Sequence, residues 1–447
     1  MEGFMLTDDV FEQIKDFYHW QLTEEQNLLI NKLILNEELK ERYKKNGLCK
    51  ECKHLNTGAY WCNSCNAKHF QQNFKNWTSG NHKVDKLIQK TQLKAKVSHE
   101  MLEWIEYDRF ENIEFLTKGG FGTIYKAIWK DGFITNWDFE NNNWVRSKAY
   151  CTVYENFPVV LKCLHNSQDI TSDFLREIET HMILSEHIIF TIAWCYGITI
   201  EPESKNFMIV MGYANDGSLR QYLNNSFNST KWNEKLNILQ KIAQGLDNIH
   251  QKGLIHRDFH CGNILRSSGF ILITDLGLCR PVNVKSSQNE FCTGLPPYHD
   301  ITHDKFLAIS ICQGLRPKSN YKIPQLILNI IKQCWDADPL KRPKSNELHG
   351  LLYGLYSSSE NHEINKQIEE ADKINEKLTS SSSLYTGPTL SYTTNPQAVF
   401  TSRLLDFKNL PEPKNAIDNK DDDNSFGEYS ESIEAIDFTK LDLDKSN

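Results

Sequence analysis

Hydrophobic and polar positions alternate in three different ways along the chain. Over residues 8–46, apolar positions recur near helical spacing between charged ones, with Leu28, Leu29, Leu33 and Leu35 as the stripe. The pattern predicts a pair of packing helices. Thr23 with Gln26 fits a capping box at a helix start, and Gly47 fits a stop. Residues 110–356 alternate short β-like runs with longer helical ones. After Tyr356 the composition changes. Residues 360–378 fit one more charged helix, Ser380–Ser383 begins a Ser/Thr/Pro-rich stretch, and Asp421–Asp423 sits in an acidic end. Such a tail buries too little apolar surface to fold alone and is expected to be mostly disordered, with apolar pieces such as 400–410 able to dock.

Length and composition narrow the class. At roughly 100–200 residues per domain, 447 residues allow two to four domains. Hydrophobic residues at 39% and charged residues at 24% fit a soluble globular protein. No apolar run approaches the roughly 18 residues that cross a bilayer, so no membrane partner is expected. The acidic start lacks the apolar core of a secretory signal, which predicts a cytoplasmic location. In that setting the 12 cysteines read as reduced thiols or metal ligands rather than disulfides. The net charge of −8 is uneven: residues 360–447 carry 18 acidic and 9 basic residues, a net of −9, which leaves +1 for the rest. Residues 40–96 carry 13 basic and 3 acidic residues, a net of +10. A basic N-terminal segment and an acidic tail can attract each other or separate signalling partners.

The basic segment contains Cys49-x-x-Cys52 and Cys62-x-x-Cys65, nine residues apart. Two such knuckles can present four thiolates tetrahedrally, the arrangement structural zinc prefers. The separation is shorter than the usual four-cysteine spacing, and His54, His69 and His82 are nearby spare ligands. Four unligated thiols are the plainer alternative. The flanking lysines with Trp61, Phe70, Phe74 and Trp77 also fit a nucleic-acid surface, but a charge run is more often a solvated face, so no nucleic-acid partner is expected.

The middle of the chain holds an ordered set of chemical motifs. Leu116-Thr-Lys-Gly119-Gly120-Phe121-Gly122-Thr-Ile124 is a glycine-rich turn between apolar runs, which lets backbone N–H groups approach phosphates. Val159-Val160-Leu161-Lys162 is a strand-like run ending in lysine, and Glu177 lies fifteen residues on in a helical pattern. A Lys162–Glu177 pair would fix the ammonium where it neutralises phosphate oxygens. Then come Ile255-His256-Arg257-Asp258-Phe259-His260-Cys261-Gly262-Asn263 and, after a β-like run, Asp275-Leu276-Gly277.

Taken in order, these motifs resemble the eukaryotic protein kinases. The resemblance implies an α+β, two-lobed fold with a β-rich N-lobe and a helical C-lobe, and an ATP- and magnesium-dependent transferase acting on a protein hydroxyl in signalling. It assigns Asp258 as the group that accepts the hydroxyl proton, Asn263 and Asp275 as magnesium ligands, Lys162 as the phosphate contact and Glu177 as its partner. Gly119 and Gly122 would cover the phosphates. Met211 would be the gatekeeper, and Gly212, Tyr213 and Ala214 the hinge that binds adenine. Ile124 and Val160 would lie above the ring and Leu265 beneath it. Gly217-Ser-Leu-Arg-Gln-Tyr-Leu and Cys334-Trp335-x-x-x-Pro339-x-x-Arg342-Pro343 look like the tyrosine-kinase-like group, and the cysteine-rich start with this tail is similar to kinases of large fungal expansions. The implied domains are a helical segment 1–46, a basic cysteine-rich segment 47–104, a kinase domain 105–356 and a tail 357–447.

Several positions depart from the family pattern. Thr117 replaces the first loop glycine, Val160 stands where alanine is usual, Leu276 replaces the phenylalanine of the D-F-G triplet, and His260 leaves the choice of Ser/Thr or Tyr substrate unread. Residues 129–157 form a long insertion, expected to be a surface hairpin loop. The largest departure follows Gly277. The chain passes from Leu278 to Thr293–Tyr298 with no A-P-E motif and no central helix, a deficit of roughly forty residues at the 285–295 junction. The loss of that support predicts impaired transfer and leaves Arg342 without its expected glutamate. Three readings therefore stand: an active kinase; a pseudokinase or scaffold that binds nucleotide; and a zinc-dependent binding module with a kinase remnant.

Overall fold

A computed structural model of the chain describes residues 6–119, 122–148, 157–164, 167–168, 170–185, 191–281, 297–317, 319, 321–357, 362–381, 394–398, 407 and 409–416. It divides into two compact units, Met1–Ile189 with Ala193–Tyr213, and Phe190–Ile192 with Ala214–Asn447. The architecture is α+β: the sheet lies in the first unit, and the second is largely helical.

The first unit opens with α1 (Asp8–Ile14), α2 (Glu24–Leu33) and α3 (Glu37–Asn46). The expected capping box forms: Thr23 Oγ1 accepts from the Gln26 amide and Gln26 Oε1 accepts from the Thr23 amide. Gly47 caps α3 at φ 72°. The expected leucine stripe does not hold, because Leu28 is 69% and Leu35 84% exposed. The chain breaks into three short helices and Ile34 turns extended, so the helical period restarts. Ile14, Ile30, Ile34 and Tyr43 form the core instead.

Next come α4 (Asn63–Asn73), α5 (His82–Lys94) and a six-stranded sheet in the order β1-β7-β8-β6-β3-β2. The strands are β1 (Glu103–Trp104), β2 (Phe110–Lys118), β3 (Gly122–Trp129), β6 (Phe157–Leu164), β7 (Cys195–Ile200) and β8 (Phe207–Gly212). Between β6 and β7 lies helix α6 (Ser172–Ser185). Alternation along β6 sends Val159 and Leu161 to one buried cluster and Val160 to the other, which also holds Ile209 and Met211 of β8 with Phe174 and Ile178 of α6. Lys162, two residues from Val160, therefore lies on the face that α6 covers.

The insertion forms a hairpin of β4 (Phe133–Asp138) and β5 (Asn143–Ser147). The expected hairpin forms, with its start turned into the core rather than wholly to the surface. Phe133 and Ile134 are buried, and Trp144 stacks on Phe70 of α4 with ring centroids 4.2 Å apart. Its asparagine-rich composition suggested solvent; its tryptophans supply the packing face.

The second unit holds α7 (Leu219–Ser226), α8 (Trp232–Gln251), the short strands β9 (Leu254–Ile255), β10 (Ile264–Ser267), β11 (Phe270–Ile273) and β12 (Arg280–Pro281), and then α9 (Lys305–Cys312), α10 (Gln325–Cys334), α11 (Ser345–Ser357) and α12 (His362–Ser381). The expected boundary at 356 falls just before α12, and α12 packs back into this core. Ile364, Ile368 and Ala371 are buried there, and Asp372 accepts the backbone N–H of Trp232 at the start of α8 (3.1 Å). A later tail segment also docks: the Lys414 amide donates to the Cys312 carbonyl (2.7 Å), and Asn415 accepts from the Ala337 amide (2.6 Å). The 285–295 junction lies outside the described residues.

Candidate functional site

The first unit brings together the lysine and the glutamate that the motifs single out. Lys162 pairs across strands with Ile124 and with Ile209. Its Nζ lies 2.6 Å from Glu177 Oε1 of α6, and both side chains are buried. Glu177 also raises the thiol of Cys195, which burial pushes up to about 12. Val160 lies across from Met211, and Ile124 and Val160 are half-buried near the lysine. At the loop, the Gly119 amide donates to the Gly122 carbonyl (2.8 Å). A Cβ on Gly122 would stand 2.5 Å from the Cys163 carbonyl oxygen, so the close approach of β6 requires glycine there. Gly120 and Phe121 lie outside the described residues. The Gly212 amide is committed to the Trp194 carbonyl (2.9 Å), and the chain leaves the first unit at Tyr213.

The second unit brings Asp258 and Asn263 together. Asn263 Nδ2 donates both to the Asp258 carbonyl and to Asp258 Oδ2, each at 2.9 Å. The Asp258 amide donates to His256 Nδ1 (3.2 Å), so the His256 proton sits on Nε2 and is donated to the Thr274 carbonyl (2.9 Å). The Thr274 amide donates to the Asn263 carbonyl (2.9 Å), which closes the ring of contacts before Asp275. Burial holds the pKa of His256 below the usual imidazole value and favours this neutral tautomer. Sequence reading named His256 only as part of a motif and missed its bridging role. Arg257 and Asp275 both adopt left-handed backbone, at φ 67° and 61°, a strained choice for non-glycine residues that clusters at functional sites. Leu276 is fully buried in place of the family's phenylalanine, and Leu265 pairs with Leu272 in the β10–β11 ribbon. Arg342 donates to the Asp336 carbonyl (2.7 Å).

The protein tyrosine and serine/threonine kinase family model matches residues 110–292. The chain carries a domain of the eukaryotic protein kinase superfamily. Among curated kinases, it is 25% identical over 300 residues to the probable serine/threonine-protein kinase roco5 of Dictyostelium discoideum, a match over 56% of this chain and 10% of that one. It is 21% identical over 297 residues to the tyrosine-protein kinase receptor svh-2 of Caenorhabditis elegans, over 57% of this chain and 25% of that one. Both are much longer than the matched region. Serine/threonine and tyrosine kinases appear side by side, so the kinase domain alone does not choose the acceptor residue.

A second cluster lies in the cysteine-rich segment. The Sγ atoms of Cys49, Cys52, Cys62 and Cys65 all lie within 4.8 Å of one another. Cys49 and Cys65 are 3.7 Å apart and Cys52 and Cys62 3.6 Å, close to the roughly 3.8 Å between sulfurs on a tetrahedral zinc with bonds of about 2.3 Å. The set fits zinc. Hydrogen bonds from Cys49 and then Cys62 draw the Cys52 thiol well below the usual thiol range. His69 is not drawn in; it pairs with Glu51 (2.9 Å) and stacks on Trp137 with centroids 4.0 Å apart. None of the ten described cysteines is in a disulfide. No described helix is long and apolar enough to cross a membrane.

Proposed function

We propose that the chain is a protein kinase that transfers the γ-phosphate of ATP to a protein hydroxyl. The observation that carries the reading is the buried Lys162–Glu177 pair on one unit together with the hydrogen-bonded Asp258–Asn263 pair on the other. In this reading Lys162 contacts the α- and β-phosphates, held in place by Glu177, while Gly119 and Gly122 lie over the phosphates. On the first unit Ile124 and Val160 are the adenine contacts with the backbone of Gly212, and on the second unit Leu265 and the backbone of Ala214. Asn263 turns its amide nitrogen to Asp258, which gives its Oδ1, with the Asp275 carboxylate, to magnesium. Magnesium held by these two residues would supply neutralisation of the β- and γ-phosphate charge. Asp258 takes the hydroxyl proton as the new O–P bond forms and the bond to the β-phosphate oxygen breaks, which releases ADP.

The nucleotide-binding scaffold is the second reading, and the sequence between Leu278 and Tyr298 favours it, since that run lacks A-P-E. Against it stands the catalytic loop, whose Asp258 is held by His256 and Asn263, both of which bond to the Thr274 backbone. Radiolabel transfer from γ-labelled ATP to a generic protein substrate separates the two. Transfer by the wild type above its Asp258→Asn variant supports the kinase; equal rates with Mg-ATP bound support the scaffold. We also propose that Cys49, Cys52, Cys62 and Cys65 hold one structural zinc. The partners of this reading are ATP, a protein substrate, and signalling proteins bound through the cysteine-rich segment or tail, in the cytoplasm.

A further inference from the structure

The cysteine module is joined to the rest of the first unit at two places, the β4–β5 hairpin and α5, and the two lead to the two members of one ion pair. The first is the β4–β5 hairpin, whose chain continues towards β6 and Lys162. Trp144 of the hairpin stacks on Phe70 of α4, the helix that Cys62 caps and that contains Cys65. Trp137 stacks on His69, which in turn pairs with Glu51 between the first two cysteines. The hairpin is also tied to β1: Arg146 pairs with buried Glu103, and the Ile134 amide donates to the same carboxylate.

The second place is α5. Trp61, beside Cys62, donates its indole N–H to the Ala95 carbonyl at the end of α5 (3.0 Å), and Asn63 donates to the same oxygen (2.8 Å). The other face of α5 presents Val84, Leu87 and Ile88 at i, i+3 and i+4. They share one buried cluster with Phe174 and Ile178 of α6, the residues that flank Glu177. Lys90 of α5 reaches Glu179 of α6 at 3.7 Å.

We propose that the four-cysteine module is a metal-dependent positioning device for the Lys162–Glu177 pair, with Leu87 and Ile88 as its positioning residues. The metal fixes the two knuckles and α4. The knuckles hold α5 against α6, and α4 holds the hairpin that leads to β6. A kinase domain without this module lacks the apolar face on which the α6 side next to Glu177 is packed. The proposal rests on the zinc reading above, and the test separates the two.

The test uses the full chain, with three readouts: zinc per chain by elemental analysis, hydrogen exchange of the 172–185 peptide, and affinity for a fluorescent ATP analogue with magnesium. The forms compared are wild type, chelator-stripped protein, Leu87→Ala, Ile88→Ala and Ile88→Val. Both alanine variants should keep about one zinc, the ratio set by four thiolates around a single ion. They should exchange faster in 172–185 and bind nucleotide on the order of tenfold more weakly, a modest population shift. Ile88→Val should restore most of both properties, and stripping the metal should reproduce the alanine effect. Zinc-loaded alanine variants with unchanged exchange and affinity would overturn the positioning role. Wild type without zinc would overturn the zinc reading and the metal dependence with it. If an alanine variant exchanges faster throughout the chain, the chelator-stripped wild type decides, and unchanged exchange of 172–185 in it counts against the proposal.

Discussion

The Lys162–Glu177 pair offers a test that distinguishes a functional contact from a structural one. Both side chains are buried and their charged atoms lie 2.6 Å apart. At an effective dielectric near 20, that separation is worth roughly 6 kcal/mol of gross attraction. Removing two ions from water costs several kcal/mol each, so the pair contributes little net stability. Removing one partner is different, because it takes from the other buried charge the counter-ion 2.6 Å away. Lys162→Met or Glu177→Leu alone should therefore lower stability by about 3–5 kcal/mol, whereas Lys162→Met with Glu177→Leu should come within about 1 kcal/mol of wild type. The assay is urea unfolding followed by tryptophan fluorescence, run beside a thermal-shift titration with Mg-ATP. The double variant should stay folded yet show no nucleotide shift, since the phosphate-facing charge is gone. A double variant as unstable as the two singles combined would refute the argument that this pair is kept for binding rather than for stability. So would a nucleotide shift that survives in it.

Other outcomes follow from the same structure. The full chain should copurify with about one zinc, and Cys52→Ser should lose it, as elemental analysis reads. Truncation after Tyr356 removes Ile364 and Ile368 from the core, and should cost roughly 3–6 kcal/mol by urea unfolding, from roughly 1.5–3 per buried isoleucine, whereas truncation after Ser381 should cost far less. Burial lowers the folded-state pKa of His256 below 6.5, so its neutral form stabilises the fold above that pH. As pH falls from 6.5 through the folded value, a proton on Nδ1 breaks the bond from the Asp258 amide; exchange protection across 256–263, taken relative to the intrinsic rate at each pH, should fall on acidification, and unchanged protection between pH 7 and 5 would count against it.

Some of this is legible in the sequence and some is not. Contacts fixed by local spacing can be read directly. Thr23 and Gln26 sit three apart and cap one helix; the cysteines of each knuckle also sit three apart, and the two knuckles converge. A lysine ending a strand and a glutamate on the following helix meet because alternation fixes the lysine's face. What sequence reading misses depends on where helices end and what covers them. The Leu28–Leu35 stripe fails because Ile34 leaves the helix, a boundary effect that periodicity does not see. The insertion reads as a hairpin and forms one; what the reading misses is its packing, for which Trp137 and Trp144 in an otherwise polar insertion are the available signal. Ile364, Ile368 and Ala371 stand at i, i+4 and i+7, a stripe that marks α12 for packing despite the charge around it.

The most direct measurement is phosphate transfer from γ-labelled ATP to a generic protein substrate by the full chain and by its Asp258→Asn variant. The account predicts clear transfer by the wild type, and transfer by the variant reduced at least on the order of 100-fold, the loss expected when proton acceptance at the attacking oxygen is removed. Equal transfer by the two forms, in samples that both bind Mg-ATP, would contradict it and leave a nucleotide-binding scaffold.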